Sequence, residues 1–531
     1  MPVKSSLSVA VSAFALAWVD ASAQAQNMNM PNMPGMTMPT AARKAAAETA
    51  AAKTKSPPQQ KTAKTGARKR PHAHAHQSSS HAMHMEHGAM PMPQPQGQPG
   101  SPIPVGQPEM QHGTMPMQPS DTDRSSMPTG RGQMMNMPMS GHEGHEMAMT
   151  GALGPYPMPR ESSGTAWQPD ISEHSGLHVA RGSWTVMAHG TLNLVYDHQS
   201  GPGGDDKAFA SGMLMGMARR PLGNGTLQFK AMISPDPLMG ARGYPLLLAS
   251  GETANGRDRL IDRQHPHDLF MELSTSLSQN IGAKSSMFLY AGLPGEPAFG
   301  PPAFMHREAI MDSPEAPISH HWLDSTHISF GVVTAGIVID RFKIEASRFN
   351  GREPDQHRWN IETGPLDSTA VRISWNPTER LSLQGSWGHF TDPEQLEPGV
   401  DQKRWSASAL YAGDIAPGWK FAGTLAWGRK IVEHHKDDAY VVEAALKHEG
   451  WTVFGRGEIT ENRELTTAVH GPAYRVGKVS IGVLRDFQLA DHLALGAGGL
   501  ASLNLVPDAL STLYGGRHPA GAMGFVRLKL N

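Results

Sequence analysis

The residues of this chain best suited to chemistry are methionines and histidines that cluster in its N-terminal third. The stretch HAMHMEHGAMPM, residues 81–92, holds four methionines and three histidines within twelve positions. Related clusters are MNMPNMPGMTM at 28–38, MMNMPM at 134–139 and HEGHEMAM at 142–149. Thioethers are soft, uncharged ligands that select Cu(I), and by extension Ag(I), while imidazoles add affinity for Cu(II). The clusters therefore predict binding of copper ions, Cu(I) and Cu(II), and also of Ag(I).

The candidate ligands of this region are Met28, Met30, Met33, Met36, Met38, His81, Met83, His84, Met85, His87, Met90, Met92, Met134, Met135, Met137, Met139, His142, His145, Met147 and Met149. Twenty of the 32 methionines lie between residues 24 and 160, where no apolar core exists for them to fill. Two alternatives stay open, namely compositional drift in a linker and general binding of Zn or Ni by HAHAHQSSSHAMH. The chain has no cysteine, which excludes disulfides, thiolate zinc sites and blue-copper centres.

Composition divides the chain into three parts. Residues 1–23 are expected to be a signal peptide for export, because Lys4 precedes an apolar stretch and small residues follow it. Residues 24–160 are rich in Met, Pro, Gln, Ala, Ser and His, and are expected to be a disordered, periplasmic, metal-binding segment. The net charge of −2 gives no indication of a nucleic-acid partner.

From residue 164 to 531, apolar and polar residues alternate with a period of two, which predicts strands. In SWTVMAHGTLNLVYD, residues 183–197, Leu192 and Tyr196 fall on an apolar face and Asp197 on the opposite face. About sixteen such segments of roughly ten residues each predict an all-β fold, a transmembrane antiparallel β-barrel of about 16 strands. A soluble β-sandwich is the alternative, since it also alternates.

The predicted connections alternate between long and short, as in outer-membrane barrels, and place both ends of the barrel on the short-turn, periplasmic side. The long connections are predicted at 199–206, 235–266, 294–325, 350–367, 391–402, 430–439, 461–472 and 507–519. The charged residues expected to face the lumen are Lys230, Glu272, Lys343, Glu345, Arg372, Glu443, Arg456 and Glu458.

A second set of histidines lies in the two longest connections. DRQHPHD, GLPGEPAFGPPAFMHRE and SHHWLDSTH carry the candidate site residues His265, His267, His306, His320 and His321, and the last phrase also contains His327. Loops of this length are long enough to fold into the lumen and often bind something there. One hypothesis is a metal or substrate site at the constriction. The other is that these histidines only hydrogen-bond the folded loops in place.

The architecture resembles the copper-resistance B proteins, which have a signal peptide, a Met/His-rich periplasmic segment and an outer-membrane barrel. The phrases GYPLLLASGET, RQHPHDLFMEL, GLPGEPAFGPPAFMHR and HHWLDSTHISFG resemble those of an uncharacterised family of Gram-negative outer-membrane β-barrel proteins. The first resemblance implies copper tolerance at the outer membrane, and neither resemblance supplies a catalytic residue.

The expected function is binding of copper or silver by the Met/His-rich segment, with metal tolerance through sequestration or export. The alternative is a porin-like channel for small polar solutes with an incidental metal-buffering segment. Expected partners are metal ions, outer-membrane lipid and periplasmic copper carriers. An enzyme is not expected, because the sequence contains no G-x-S-x-G, H-E-x-x-H or Walker motif.

A peptide of residues 81–92 tests the ligand assignment. Imidazoles titrate near pH 6.5 and thioethers do not titrate, so the peptide should keep Cu(I) at pH 5 and release most Cu(II). Replacing its methionines by leucine should remove Cu(I) binding at pH 5 and spare Cu(II) binding at pH 7.5, as measured by competition titration. If the leucine peptide holds Cu(I) at pH 5 as well as the native one, the methionines are not ligands.

Overall fold

The computed structural model describes residues 150–173, 176–467 and 471–531. The expected signal peptide and the candidate ligands from Met28 to Met149 lie outside the described residues, so their roles stay predictions. Among the described residues, no helix is long and apolar enough to cross a membrane.

Sixteen antiparallel strands close into a barrel, which confirms the predicted fold. In chain order the strands are β1 (Leu177–Arg181), β2 (Trp184–Gln199), β3 (Asp206–Leu222), β4 (Gly225–Ile233), β5 (Tyr244–Thr253), β6 (Arg259–Gln264), β7 (Phe270–Gly282), β8 (Ser285–Gly292), β9 (Val332–Ile339), β10 (Phe342–Phe349), β11 (Ser368–Thr378), β12 (Leu381–Phe390), β13 (Gln402–Ala416), β14 (Trp419–Val432), β15 (His435–His448), β16 (Trp451–Asn462), β17 (Tyr474–Ala490), β18 (Leu493–Leu505) and β19 (Ala520–Leu530). The wall consists of β2 to β4 and β7 to β19, and it closes where β19 pairs with β2. The short strand β1 pairs with the start of β2, beyond the end of β19, and β5 and β6 form a separate hairpin.

The two faces of the wall differ as a membrane requires, with apolar side chains outside and polar ones inside. In β2, Leu194 and Tyr196 are 60% and 57% exposed on the outer face, whereas Asp197 is fully buried on the inner face. All eight charged residues that the sequence assigned to the lumen are buried there. The period of two therefore predicted the orientation of the side chains as well as the strands.

One predicted loop is wrong. The connection at 430–439 is a two-residue turn, because β14 continues to Val432 and β15 begins at His435, and these two residues pair directly. Glu433 adopts a positive φ of 51°, the backbone conformation that tight hairpin turns require. His434 is exposed at the tip of this hairpin.

The boundary of the Met/His-rich segment also needs correction, because residues 150–160 pack against the barrel and are not disordered. Leu153 and Tyr156 form an apolar cluster with Phe288 and Val338 of the wall. The hydroxyl of Ser286 donates a hydrogen bond of 2.6 Å to the carbonyl of Leu153. These residues order because Leu153 and Tyr156 bury apolar surface against the wall.

The connection between β8 and β9, residues 293–331, folds into the lumen and is called the lumen loop here. Its Arg307 is only 1% exposed. Because a buried charge without a partner is strongly unfavourable, such a residue must find one. Arg307 donates to both carboxylate oxygens of Glu443 in β15, at 2.8 and 2.7 Å, and to Asp324 of the loop itself at 2.5 Å.

Two further contacts hold the lumen loop against the wall. Glu315 of the loop is ion-paired with Lys478 of β17 at 2.5 Å. The hydroxyl of Ser319 donates to a carboxylate oxygen of Glu458 in β16 at 2.7 Å. The charges that line the wall are therefore the groups that fix the loop inside it.

The substitution Arg307→Met tests this anchoring. It keeps the length of the side chain but leaves Asp324 and Glu443 buried without their cation, which should destabilise the fold by about 3–5 kcal/mol. The temperature at which the detergent-solubilised barrel loses its fast gel mobility should fall clearly. Lys284→Met is the control, because Lys284 is 73% exposed in a turn and should matter little. Equal transition temperatures for the two variants would contradict this account.

Candidate metal centre

Three histidines from two connections meet inside the barrel. His267 lies between β6 and β7, His320 begins a short helix of the lumen loop, α1 (His320–Leu323), and His327 ends a 3-10 turn, Ser325–His327. One ring nitrogen of each lies within 4.8 Å of those of the other two. All three side chains are buried. These three residues are called the histidine centre below.

The local sequence explains how two of the rings come together. His320 and Asp324 are four residues apart, so one helical turn brings their side chains side by side. The next turn then carries His327 back to the main-chain carbonyl of Asp324. The ring centroids of His320 and His327 are 5.2 Å apart, and that of His267 is 5.0 Å from His327.

Each ring is oriented by an acceptor at its Nδ1 atom. His267 Nδ1 lies 2.8 Å from Asp236 Oδ2, and His320 Nδ1 lies 2.8 Å from Asp324 Oδ1. His327 Nδ1 lies 2.7 Å from the carbonyl oxygen of Asp324. Because these acceptors require a proton on Nδ1, the lone pair of each ring is on Nε2, which is the arrangement common in metal-binding histidines.

The remaining ring nitrogens are suited to a metal ion. Nε2 of His267 and Nε2 of His327 are buried and have no hydrogen-bond partner among the described residues. Burial lowers the pKa of His320, although Asp324 partly opposes this, and burial lowers the pKa of His327 strongly. Both rings are therefore neutral at pH 7, as a metal ligand must be.

A second pair of histidines lies next to the centre. The ring of His265 is 5.6 Å from that of His321 and 5.9 Å from that of His320. His265 Nε2 is 3.0 Å from a carboxylate oxygen of Glu252, and His321 Nδ1 is 3.1 Å from one of Glu353. Burial lowers the pKa of His265, whereas Glu353 outweighs burial and raises the pKa of His321. These two rings are thus engaged with carboxylates and support the loops.

Four of the five loop histidines predicted as a site lie together in this region. His306 is placed elsewhere, on a cavity at the short-turn end that Met311 and His189 also line. His327 completes the centre, although the sequence argument named only its neighbours as site residues. The sequence feature that indicates His327 is the spacing around Asp324, because Asp324 lies four residues after His320 and three before His327. That these rings bind metal stays a prediction.

Three imidazoles are a ligand set that suits Cu(II), Zn(II), Ni(II) or Fe(II). Two nitrogens bound to one tetrahedral ion at about 2.0–2.1 Å lie about 3.3 Å apart, so the rings would close by at most about 1.5 Å. Asp236 adds a negative charge beside them, and its Oδ1 atom is buried without a hydrogen-bond partner among the described residues. The centre can therefore hold a cation without any thiolate.

No protein-family model matches this chain, and no curated protein matches its sequence. Among solved structures, it is similar to OprB of Pseudomonas putida, with 9% identity over 66% of this chain and 94% of that one, and a TM-score of 0.44. It is also similar to the Salmonella typhi OmpF complex with daunomycin, with 10% identity over 67% and 100% of the two chains and a TM-score of 0.42. A third similar structure is OmpT of Vibrio cholerae, with 10% identity over 66% of this chain and 100% of that one, and a TM-score of 0.38. We draw no functional conclusion from likenesses this distant.

The substitution Asp236→Ala tests whether the oriented ring of His267 is a metal ligand. Loss of such an acceptor typically weakens metal affinity by about 10- to 100-fold. We expect this loss for the most tightly held Cu(II) of the full chain, measured by chelator competition. Asp206→Ala is the matched control, because Asp206 contacts Nδ1 of His198 at 2.6 Å in an exposed pair. Equal affinities in the two variants would show that Asp236 does not serve a metal ligand.

Proposed function

We propose that this protein is an outer-membrane barrel that binds copper, or silver, and contributes to tolerance of these metals by sequestration or export. The observation that carries the proposal is the meeting of His267, His320 and His327, with ring nitrogens within 4.8 Å of one another. The clusters of methionine and histidine before residue 150 supply the second support, since their thioethers favour Cu(I) and Ag(I) and their imidazoles bind Cu(II).

The position of the histidine centre supports a role in holding an ion within the barrel. His320 and His327 belong to the lumen loop, which is anchored to the wall through Arg307 and Glu443. A site on an anchored loop keeps its ligands in place before the ion arrives, which raises affinity. A metal ion bound there would be enclosed by protein.

These two observations suggest that the Met/His-rich segment and the barrel have different roles. The Met/His-rich segment would collect copper in the periplasm, from free ions or from periplasmic copper carriers. The barrel, embedded in outer-membrane lipid, would hold the ion at the histidine centre or release it outward. Both barrel ends lie on the short-turn side, which is periplasmic in barrels of this class, so the segment would emerge on the side where periplasmic copper is found.

The porin-like alternative is favoured by one observation. A cavity of about 90 Å³ lies at the short-turn end, and polar residues such as Gln228 and Lys230 are among those that line it. A barrel of this strand number can enclose an aqueous channel. Planar-bilayer recordings separate the two functions, because a porin conducts small ions steadily, and this conductance should not depend on the histidine centre.

Copper tolerance in cells tests the proposal. The native gene would be replaced by the wild type, by a His267→Ala/His327→Ala variant or by His434→Ala, whose histidine is exposed at a hairpin tip. We expect the double variant to stop growing at a lower copper concentration than the other two, at equal protein levels in the outer membrane. Equal growth of all three strains would overturn the role of the histidine centre in tolerance.

A further inference from the structure

The inner face of β2 to β4 carries an unusual set of side chains near the short-turn end. Eight of the eleven methionines from residue 164 onward either line the cavity described above or form a buried cluster beside it. These eight are Met187, Met213, Met215, Met217, Met232, Met271, Met305 and Met311. The other three, Met239, Met287 and Met523, belong to neither set, so the thioethers are concentrated at one place.

The strand register arranges side chains of the cavity and of the buried cluster in two rows. In the first row, Met187 of β2 stands opposite His178 of β1 and Met217 of β3. In the second, Met215 of β3 stands opposite His189 of β2 and Met232 of β4. Directly opposite residues have Cβ atoms about 4.5–5.5 Å apart, so flexible side chains such as these can share one ion.

The other side of the cavity adds ligands of the same types. Met158 comes from the segment before β1, and His306 and Met311 come from the lumen loop. The cavity is thus lined by five thioethers and three imidazoles from three parts of the chain, and it is called the methionine chamber here. Convergence of one ligand type from three segments is not required for packing, which leucine would serve equally well.

The charges around the methionine chamber do not select a divalent ion. The lining residues Glu161 and Glu308 are matched in number by the cations Arg219 and Lys230, and Lys230 also pairs with Glu272 at 3.4 Å. A third carboxylate, that of Glu173, is held by two lysines at 2.9 Å each. With the charges nearly balanced, ligand softness decides what binds, and thioethers favour soft monovalent ions.

We propose that the methionine chamber is a second metal site, separate from the histidine centre, that binds a soft monovalent cation of the Cu(I) and Ag(I) class. The inference rests on the proposed function for its biological meaning, but not for its chemistry. The chamber lies at the short-turn end, where residues 150–160 contact the inner wall. It would be the entry site of the barrel for the reduced metal.

The test uses Ag(I), which binds thioethers without redox chemistry, and the full chain in detergent. Hydrogen peroxide oxidises free methionine to its sulfoxide, which peptide mass spectrometry measures residue by residue. At a free Ag(I) concentration about ten times the dissociation constant, oxidation of Met187, Met217 and Met311 should slow about tenfold, because only the unbound thioether reacts. Met287, 51% exposed on the outer face of β8, is the internal control and should be unaffected.

A second measurement does not depend on access of peroxide. The variant Met187→Leu/Met217→Leu should retain less Ag(I) per chain than Met287→Leu after dialysis against a competing thioether. Unchanged oxidation of the chamber methionines together with equal Ag(I) retention would overturn the proposal.

The same oxidation experiment on the variant His267→Ala/His327→Ala separates this proposal from the proposed function. If Ag(I) still protects the chamber methionines of that variant, and the variant leaves copper tolerance unaffected, the result would contradict the proposed function alone.

Discussion

Asp324 serves two functions with one carboxylate. Its Oδ2 atom neutralises Arg307, the buried cation that ties the lumen loop to Glu443 of the wall, while its Oδ1 atom orients the ring of His320. Its main-chain carbonyl also accepts the hydrogen bond of His327. The need to pair a buried charge therefore fixes the loop and two rings of the histidine centre at the same time.

This coupling has consequences for how the centre works. Loops that bind ligands are often mobile, and ordering them when the ligand binds costs free energy. Here the ordering is provided by ion pairs to the wall, so the rings are held near one another before any ion binds. The buried surroundings also keep His320 and His327 neutral, because burial lowers the pKa of both rings. Position and protonation state are thus both set by the fold.

The sequence predicted the barrel well because the signal repeats along every strand. A period of two over about sixteen segments predicted the fold and the inward charges, and the alternation of long and short connections predicted that both barrel ends lie on the short-turn side. The prediction was wrong where one residue determines the local structure. Glu433 is an example, because its positive φ closes a tight hairpin where a long loop was predicted. The sequence also could not place Tyr156, since order in residues 150–160 depends on contacts with strands far along the chain.

The candidate sites were predictable in part, for a related reason. Spacing within SHHWLDSTH indicates that His320 and His327 can approach each other, but only the fold brings His267 from a separate connection. The methionine chamber was missed, because alternate methionines such as Met215 and Met217 look like any inward face of a strand. Their meaning comes from register, which sets His189 and Met232 beside them.

Anomalous X-ray scattering tests the central claim most directly. Crystals of the full chain grown with Cu(II) would be measured on both sides of the copper absorption edge, so that the difference locates ordered copper without reference to affinity. The account predicts an ordered copper peak within the lumen, between Nε2 atoms of His267, His320 and His327. Ordered copper at other positions with none at these three rings would contradict it.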